Sequence, residues 1–159
     1  MQSMRISRVD SDRAAEIAEM MGELLGEIMD RIEARAFNFV LDDAKVRLRQ
    51  FLAKGKYHVF AAVDEANESM AGFVAMYESY SIYAGGAFGT IPELYVRPGY
   101  RGRQVGKALL ETAKRFGAER EWTRLEVTTP PLPEFERTLS FYQREGFSVS
   151  GGRKLQVGL

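Results

Sequence analysis

The segment Leu94-Tyr95-Val96-Arg97-Pro98-Gly99-Tyr100-Arg101-Gly102-Arg103-Gln104-Val105-Gly106-Lys107-Ala108-Leu109-Leu110 constrains this chain more than any other. An apolar strand runs into a turn carrying glycines and basic side chains. The turn feeds a helix over about 104–120 whose Val105, Leu109, Ala113 and Phe116 share one face. Backbone N–H groups in the first turn of a helix lack intrahelical partners and carry partial positive charge. Gly102 and Gly106 let a ligand approach that backbone with no Cβ in the way. The pattern predicts a local anion site suited to a phosphate or diphosphate. Two familiar phosphate loops do not fit it. Gly102 and Gly106 enclose three residues where a Walker A loop has four, and Ala108 follows Lys107, so no hydroxyl is placed for magnesium. Gln104 stands where the G-x-G-x-x-G fingerprint needs its second glycine. A nucleotide triphosphatase and a Rossmann dehydrogenase are both disfavoured.

No wider field surrounds that site. The 159 residues carry 22 basic and 22 acidic side chains, a formal charge of zero, so neither nucleic acid nor a membrane surface is an expected partner. The length suits one domain over residues 1–159, close to the usual size of about 100–150 residues. Cysteine is absent, which removes disulfides, thiolate metal sites and a cysteine nucleophile together. The single histidine, His58 in Tyr57-His58-Val59-Phe60, argues against a multi-histidine metal site, and strand alternation there predicts an exposed or edge position. Met1 to Val9 is polar and alternating, unlike a signal peptide, and no apolar stretch approaches the roughly 18 residues of a membrane span. A soluble cytoplasmic protein is the expectation.

Residues 4–9 alternate like a strand. Asp10-Ser11-Asp12 supplies N-cap residues before a helix over 13–31, where Ile17, Met20, Met21, Leu24, Leu25 and Ile28 recur at helical spacing and Glu16, Glu19, Glu23 and Glu27 take the other face. A second helix is predicted from 42 or 43 to 54, with Val46, Leu48, Phe51 and Leu52 inside and Gly55 ending it. Residues 57–63 and 71–80 read as an antiparallel hairpin about the polar turn 64–69. Glycine-rich 85–89 reads as a bend or loop, followed by a strand over 90–96. After the helix at 104–120 come a strand over 123–128, the rigid loop Pro130-Pro131-Leu132-Pro133, a helix over 134–145 closed by Gly146, and a final hairpin pairing 147–149 with 154–157. This order predicts a mixed-sheet α/β domain.

The turn carries a second meaning. Aligned by Leu94-Tyr95-Val96-Arg97-Pro98, the run Arg101-Gly102-Arg103-Gln104-Val105-Gly106 resembles the acyl-CoA signature of the GNAT superfamily of N-acetyltransferases, with Gln104 in place of its first glycine. Shifted by two, Arg103-Gln104-Val105-Gly106-Lys107-Ala108 satisfies that signature completely, but the strand spacing favours the first frame. Downstream, Phe141-Tyr142-Gln143-Arg144-Glu145-Gly146-Phe147 is similar to the family's Phe-Tyr-x-x-x-Gly-Phe segment, with Phe135 roughly where an asparagine often stands. The two matches stand in family order, and with the N-terminal elements the resemblance covers nearly the whole chain. It implies a single α/β (α+β) domain. Its mixed, mostly antiparallel sheet would have fourth and fifth strands that splay apart, and helices on both faces.

The resemblance also implies roles. The backbone of Leu94, Tyr95 and Val96 would pair with the pantetheine arm of acetyl-CoA, the co-substrate, and Arg101, Gly102, Arg103, Gln104, Val105, Gly106 and Lys107 would meet its diphosphate. A solvated basic turn is the bland reading of the same residues. Tyr142 would protonate the departing thiolate, a task suited to a neutral phenol, or it packs with Phe141 as an aromatic pair. Glu93 would take the amine proton, or it is one of the residues a strand points to solvent. Asp30, Glu33 and Glu78 are candidates to attract a cationic amine, and Tyr80, Tyr83 and Phe88 either line an acceptor pocket or cover the sheet. The expected activity is direct acetyl transfer to a primary amine, a small molecule before a protein tail, by a homodimer and without a metal. A non-catalytic CoA-binding module is the alternative, and a nucleic-acid regulator using Arg97, Arg101, Arg103 and Lys107 lacks a wider basic face.

Overall fold

Two hydrophobic periods alternate along the first 128 residues, and each resolves into its element. The structure, a computed structural model, describes residues 3–159; Met1 and Gln2, the start of the polar N-terminal stretch, lie outside the described residues. The chain divides into two units, Met1–Thr128 and Thr129–Leu159.

In the first unit the order is β1 (Met4–Val9), a short 3-10 turn, α1 (Ala14–Ile32), α2 (Leu41–Ala53), β2 (His58–Asp64), β3 (Ser69–Ser81), β4 (Gly86–Val96), a second 3-10 turn at Pro98–Tyr100, α3 (Val105–Glu119) and β5 (Leu125–Val127). The sheet order is β1-β2-β3-β4-β5, antiparallel except for the parallel pair β4–β5. Alternation sorts its side chains. Val59, Ala61, Val63, Phe73, Ala75 and Tyr95 form one core with Ile17 and Met20 of α1, against which Leu48 and Leu52 of α2 pack. On the opposite face, Phe116 of α3 meets Phe60 edge-on at 5.5 Å and the His58 ring at 4.9 Å. Helices therefore cover both faces, and the fold class is the one expected.

Pairing between β4 and β5 covers Gly89, Thr90 and Ile91 against Leu125, Glu126 and Val127, and there it stops. From Pro92 to Val96, β4 keeps only β3 beside it. This is the splay. Opposite Met76, β4 carries two residues, Ile91 and Pro92, between the Ala75↔Glu93 and Tyr77↔Thr90 pairs. Such a bulge bends a strand and re-aims the side chains beyond it, and proline suits it because it has no N–H to give a ladder.

Several expectations need correction. Glycine-rich 86–89 is strand, not loop: β4 begins at Gly86 and pairs with Glu78 to Ser81. Gly89 is there for space, since a Cβ on it would overlap the Trp122 ring and lie 2.6 Å from Leu125. His58 is neither exposed nor at an edge. It is 5% exposed on an interior strand, where Nδ1 accepts from Arg8 Nη2 at 2.9 Å. Burial, then the nearby Arg120 and Arg8 charges, pull its pKa down to about 4, so the ring is neutral at pH 7. Val46 lies outside the core at 52% exposure, and no residue of α2 is fully buried; Leu48, Phe51 and Leu52 are half-buried, with Leu48 and Leu52 packing on the core from its edge. Asp64, assigned to a polar turn, is fully buried: Oδ1 accepts from Ala66 N at 3.0 Å and Oδ2 from the Tyr100 hydroxyl at 2.9 Å.

The second unit contains α4 (Glu136–Arg144), which ends before Gly146 at φ 95°. Residues 147–159 form no strand, so the final hairpin is absent; Val149, Leu155 and Val157, its apolar positions, are exposed.

Candidate active site

The bulge sets the first site residue. Glu93 comes directly after it on the face of β4 that also carries Tyr95, under α1 and α2. The Tyr57 hydroxyl donates to Glu93 Oε1 at 3.4 Å, whereas Oε2 is buried and has no partner. Burial pushes the Glu93 carboxyl up to about 7, and the Tyr57 bond opposes that shift. A carboxylate so held is close to half-ionised at neutral pH, which is where a general base transfers protons best. The sequence marks Tyr57 only as a strand residue. Its position directly after Gly55-Lys56, where the chain enters β2, is the available signal.

Beyond Glu93 the strand passes through Leu94, Tyr95 and Val96 with nothing of the sheet on its outer side. Tyr95 is buried, and its hydroxyl donates to Glu23 Oε1 at 3.2 Å. Burial first, then Glu23, raises the Tyr95 phenol to about 12. Arg97 reaches Glu23 at 2.9 Å and the Met70 carbonyl at 2.9 Å. Arg101 pairs with Glu27 at 2.8 Å and donates from Nε to the Val96 carbonyl at 2.9 Å. Glu23 and Glu27 lie on the polar face of α1, as their spacing predicts, and there they carry these ion pairs. They bind the basic turn to α1, and two of the four basic side chains of that turn already hold carboxylates.

The start of α3 is open. Gly102 has φ 78°, and a Cβ on it would meet nothing within 4 Å. Gln104, the N-cap of α3, sits in the left-handed region at φ 64°, ψ 16°, with no side-chain cap bond. Glycine adopts that conformation without strain, so the signature's glycine has been replaced at a position that still has glycine's geometry. Ala108 N donates to the Gln104 carbonyl at 3.0 Å, which leaves the amides of Val105, Gly106 and Lys107 ahead of the helical ladder. Lys107 is exposed, and the Arg103 guanidinium stacks 5.5 Å from the Tyr100 ring. Open space at Gly102, unladdered amides and nearby cations fit a diphosphate.

On the acceptor side, Glu78 is already engaged. It accepts from Trp122 Nε1 at 2.6 Å and from the Tyr80 hydroxyl, and these two bonds lower its pKa. Asp30 and Glu33 are both exposed. Phe88 is buried with Arg124 stacked on it at 5.0 Å, while Tyr80 and Tyr83 are exposed. A cavity of about 410 Å³ is lined by Arg8, Asp10, Ser11, Leu52, Gly55 and Tyr57, near the helices expected to build this side. Within the second unit, Tyr142 is 5% exposed, with Phe141 and Phe147 edge-on at 5.2 and 5.4 Å. Burial raises its phenol pKa, so it remains a donor at neutral pH. Among the described residues no group of three or more His, Asp or Glu could hold a metal ion, and no helix is long and apolar enough to cross a membrane.

A mixed sheet that splays at the fourth strand, with a glycine-bearing turn opening the next helix, defines an acyl-CoA transferase type of fold. The family model for the acetyltransferase (GNAT) domain matches residues 55–149, and the chain belongs to that family of acetyltransferases. No curated protein matches the sequence significantly. Solved structures share the fold. Aminoglycoside N-acetyltransferase AAC(6')-Iy in complex with CoA superposes at TM-score 0.80 with 16% identity, over 99% of this chain and 96% of that one. An aminoglycoside acetyltransferase from an uncultured soil metagenomic sample gives 0.75 and 17%, over 98% and 96%. A ribosomal-protein-alanine N-acetyltransferase from Brucella melitensis biovar Abortus 2308 gives 0.72 and 19%, over 98% and 100%.

Proposed function

We propose that this protein transfers the acetyl group of acetyl-CoA directly to a primary amine, with a small-molecule acceptor favoured. The observation that carries the reading is Glu93 Oε2, a buried carboxylate oxygen without a partner, on the strand whose next three residues have lost their sheet neighbour. The Leu94, Tyr95 and Val96 backbone would hold the pantetheine arm, and Gly102, Arg103, Gln104, Val105, Gly106 and Lys107 the diphosphate. Arg101 would join them only by loosening its bond to Glu27. Bound acetyl-CoA supplies an activated thioester carbonyl. Glu93 takes a proton from the amine as its nitrogen bonds to that carbon and the carbon–sulfur bond breaks. Tyr142, assigned on the Phe-Tyr-x-x-x-Gly-Phe resemblance, gives its proton to the sulfur. With no cysteine in the chain, the nucleophile most suited to an acyl-enzyme is missing, which supports direct transfer.

Two of the similar structures are aminoglycoside acetyltransferases and one is a ribosomal-protein-alanine N-acetyltransferase, which supports an amine acceptor and favours a small one. The family match runs from 55 to 149 across the junction at Thr128, and this supports a single functional domain over residues 1–159. Homodimerisation rests on family resemblance alone. The test is thiol release from acetyl-CoA across a panel of aminoglycosides, polyamines and peptides with a free N-terminus. Turnover with at least one class is expected, and Tyr142→Phe should lower it by about 10²-fold with acetyl-CoA affinity nearly unchanged. Retention of CoA with no thiol release for any amine would favour the non-catalytic module instead.

A further inference from the structure

Tyr57 stands where the chain leaves α2 and enters β2, and its ring is held from two sides. The Phe51 centroid lies 5.2 Å away at 40°, and the Tyr77 ring stacks at 6.0 Å and 17°. Rings packed this way have little rotational choice, so the hydroxyl has a fixed aim. It aims across β3 at Glu93 and meets Oε1 alone. The other carboxylate oxygen stays buried and unpartnered.

We propose that Tyr57 is a positioning residue for Glu93: its clamped hydroxyl holds Oε1 and so leaves Oε2 as the oxygen that receives the proton. The catalytic part of this rests on the reading of Glu93 as base, but the Tyr57–Glu93 coupling does not. Two influences act on the Glu93 carboxyl: the apolar surroundings under α1 and α2, and the Tyr57 hydroxyl. Tyr57 in turn faces Tyr77 on β3, and burial raises its own pKa, so it stays a protonated donor throughout the working range. A single donor on a buried carboxylate stabilises the ionised form and tunes its proton affinity without abolishing it. The separation of 3.4 Å is long for an O–H···O bond, and such bonds in a resting site often tighten when the reactants are present.

Tyr57→Phe keeps the ring in its clamp and removes only the donor. In full-length protein with ¹³C-labelled glutamate carboxyls, and with Glu93→Gln to assign the signal, the Glu93 titration midpoint should rise by about 0.5–1 pH unit, a three- to tenfold change in proton affinity. The ascending limb of the kcat/KM profile should move with it while the KM for acetyl-CoA holds. Replacing Tyr57 by 3-fluorotyrosine, a stronger donor of nearly the same shape, should move the midpoint down, which provides an arm that does not depend on how Phe is tolerated. A midpoint unmoved by either replacement overturns the proposal. A midpoint that moves while Glu93→Gln keeps full activity supports the coupling and removes Glu93 as the base.

Discussion

The two ends of β4 meet opposite demands. At the Gly86–Gly89 end, the strand lies beside β3, and at Gly89 also beside β5, and Trp122 fills the space where Gly89 has no side chain. The neighbouring glutamate, Glu78, has a donor on each oxygen and a lowered pKa. Past the bulge, the strand is paired on one side only, and Glu93 has one long bond, one bare oxygen and a pKa of about 7. A satisfied carboxylate stabilises a structure but has little further affinity for a proton. One left short of partners costs stability and is ready to react.

The largest expected effect comes from removing the carboxylate at the splayed end. Glu93→Gln should lower turnover by about 10²-fold in thiol-release assays. The same change should stabilise the fold in alkaline solution. The folded Glu93 holds its proton more tightly than the unfolded chain does, so its contribution is intact below about pH 4.5 and is lost as pH rises toward about 7. Glu93→Gln is therefore expected to gain about 2 kcal/mol in urea unfolding at pH 8 and almost nothing at pH 4. Equal gains at both values would contradict the contrast between the two ends.

At the packed end, Gly89→Ala should destabilise by about 1–3 kcal/mol, because its methyl would overlap Trp122 and Leu125. Thermal melts would record this, and the pH dependence of activity should stay in place. The smallest effect belongs to the turn beyond the open end. Gln104→Gly is expected to stabilise by about 0.5 kcal/mol, since relief of the left-handed strain outweighs the added backbone entropy of glycine. A loss of stability on that change in urea unfolding would mean that the Gln104 side chain makes contacts of its own.

Much of the fold is legible in the residues. Amphipathic spacing locates α1 and α3, alternation locates β1 and the β2–β3 hairpin, and Pro98-Gly99 marks the turn. The misreadings have a common cause. Glycine at 86–89 signals a loop locally, yet Gly89 answers to Trp122, which is distant in sequence. The polar face of α1 at Glu23 and Glu27 is read correctly, but its pairing with Arg97 and Arg101 spans 74 residues and leaves no local signal. His58 sits in a strand alternation whose other face is covered by α3. Residues 154–157 alternate as a strand does, but strand pairing needs a partner that local pattern cannot supply.

The sequence by itself determined the period of most elements and the family signature, because these depend on neighbours a few residues apart. Only the tertiary structure decided that Glu93 lies half-buried, with one oxygen fully buried and unpartnered, while Glu78 is satisfied. That difference depends on which side chains arrive beside each carboxylate, Tyr57 from just before β2 at Glu93, Tyr80 from β3 and Trp122 from just before β5 at Glu78, and desolvation and hydrogen bonding act through space.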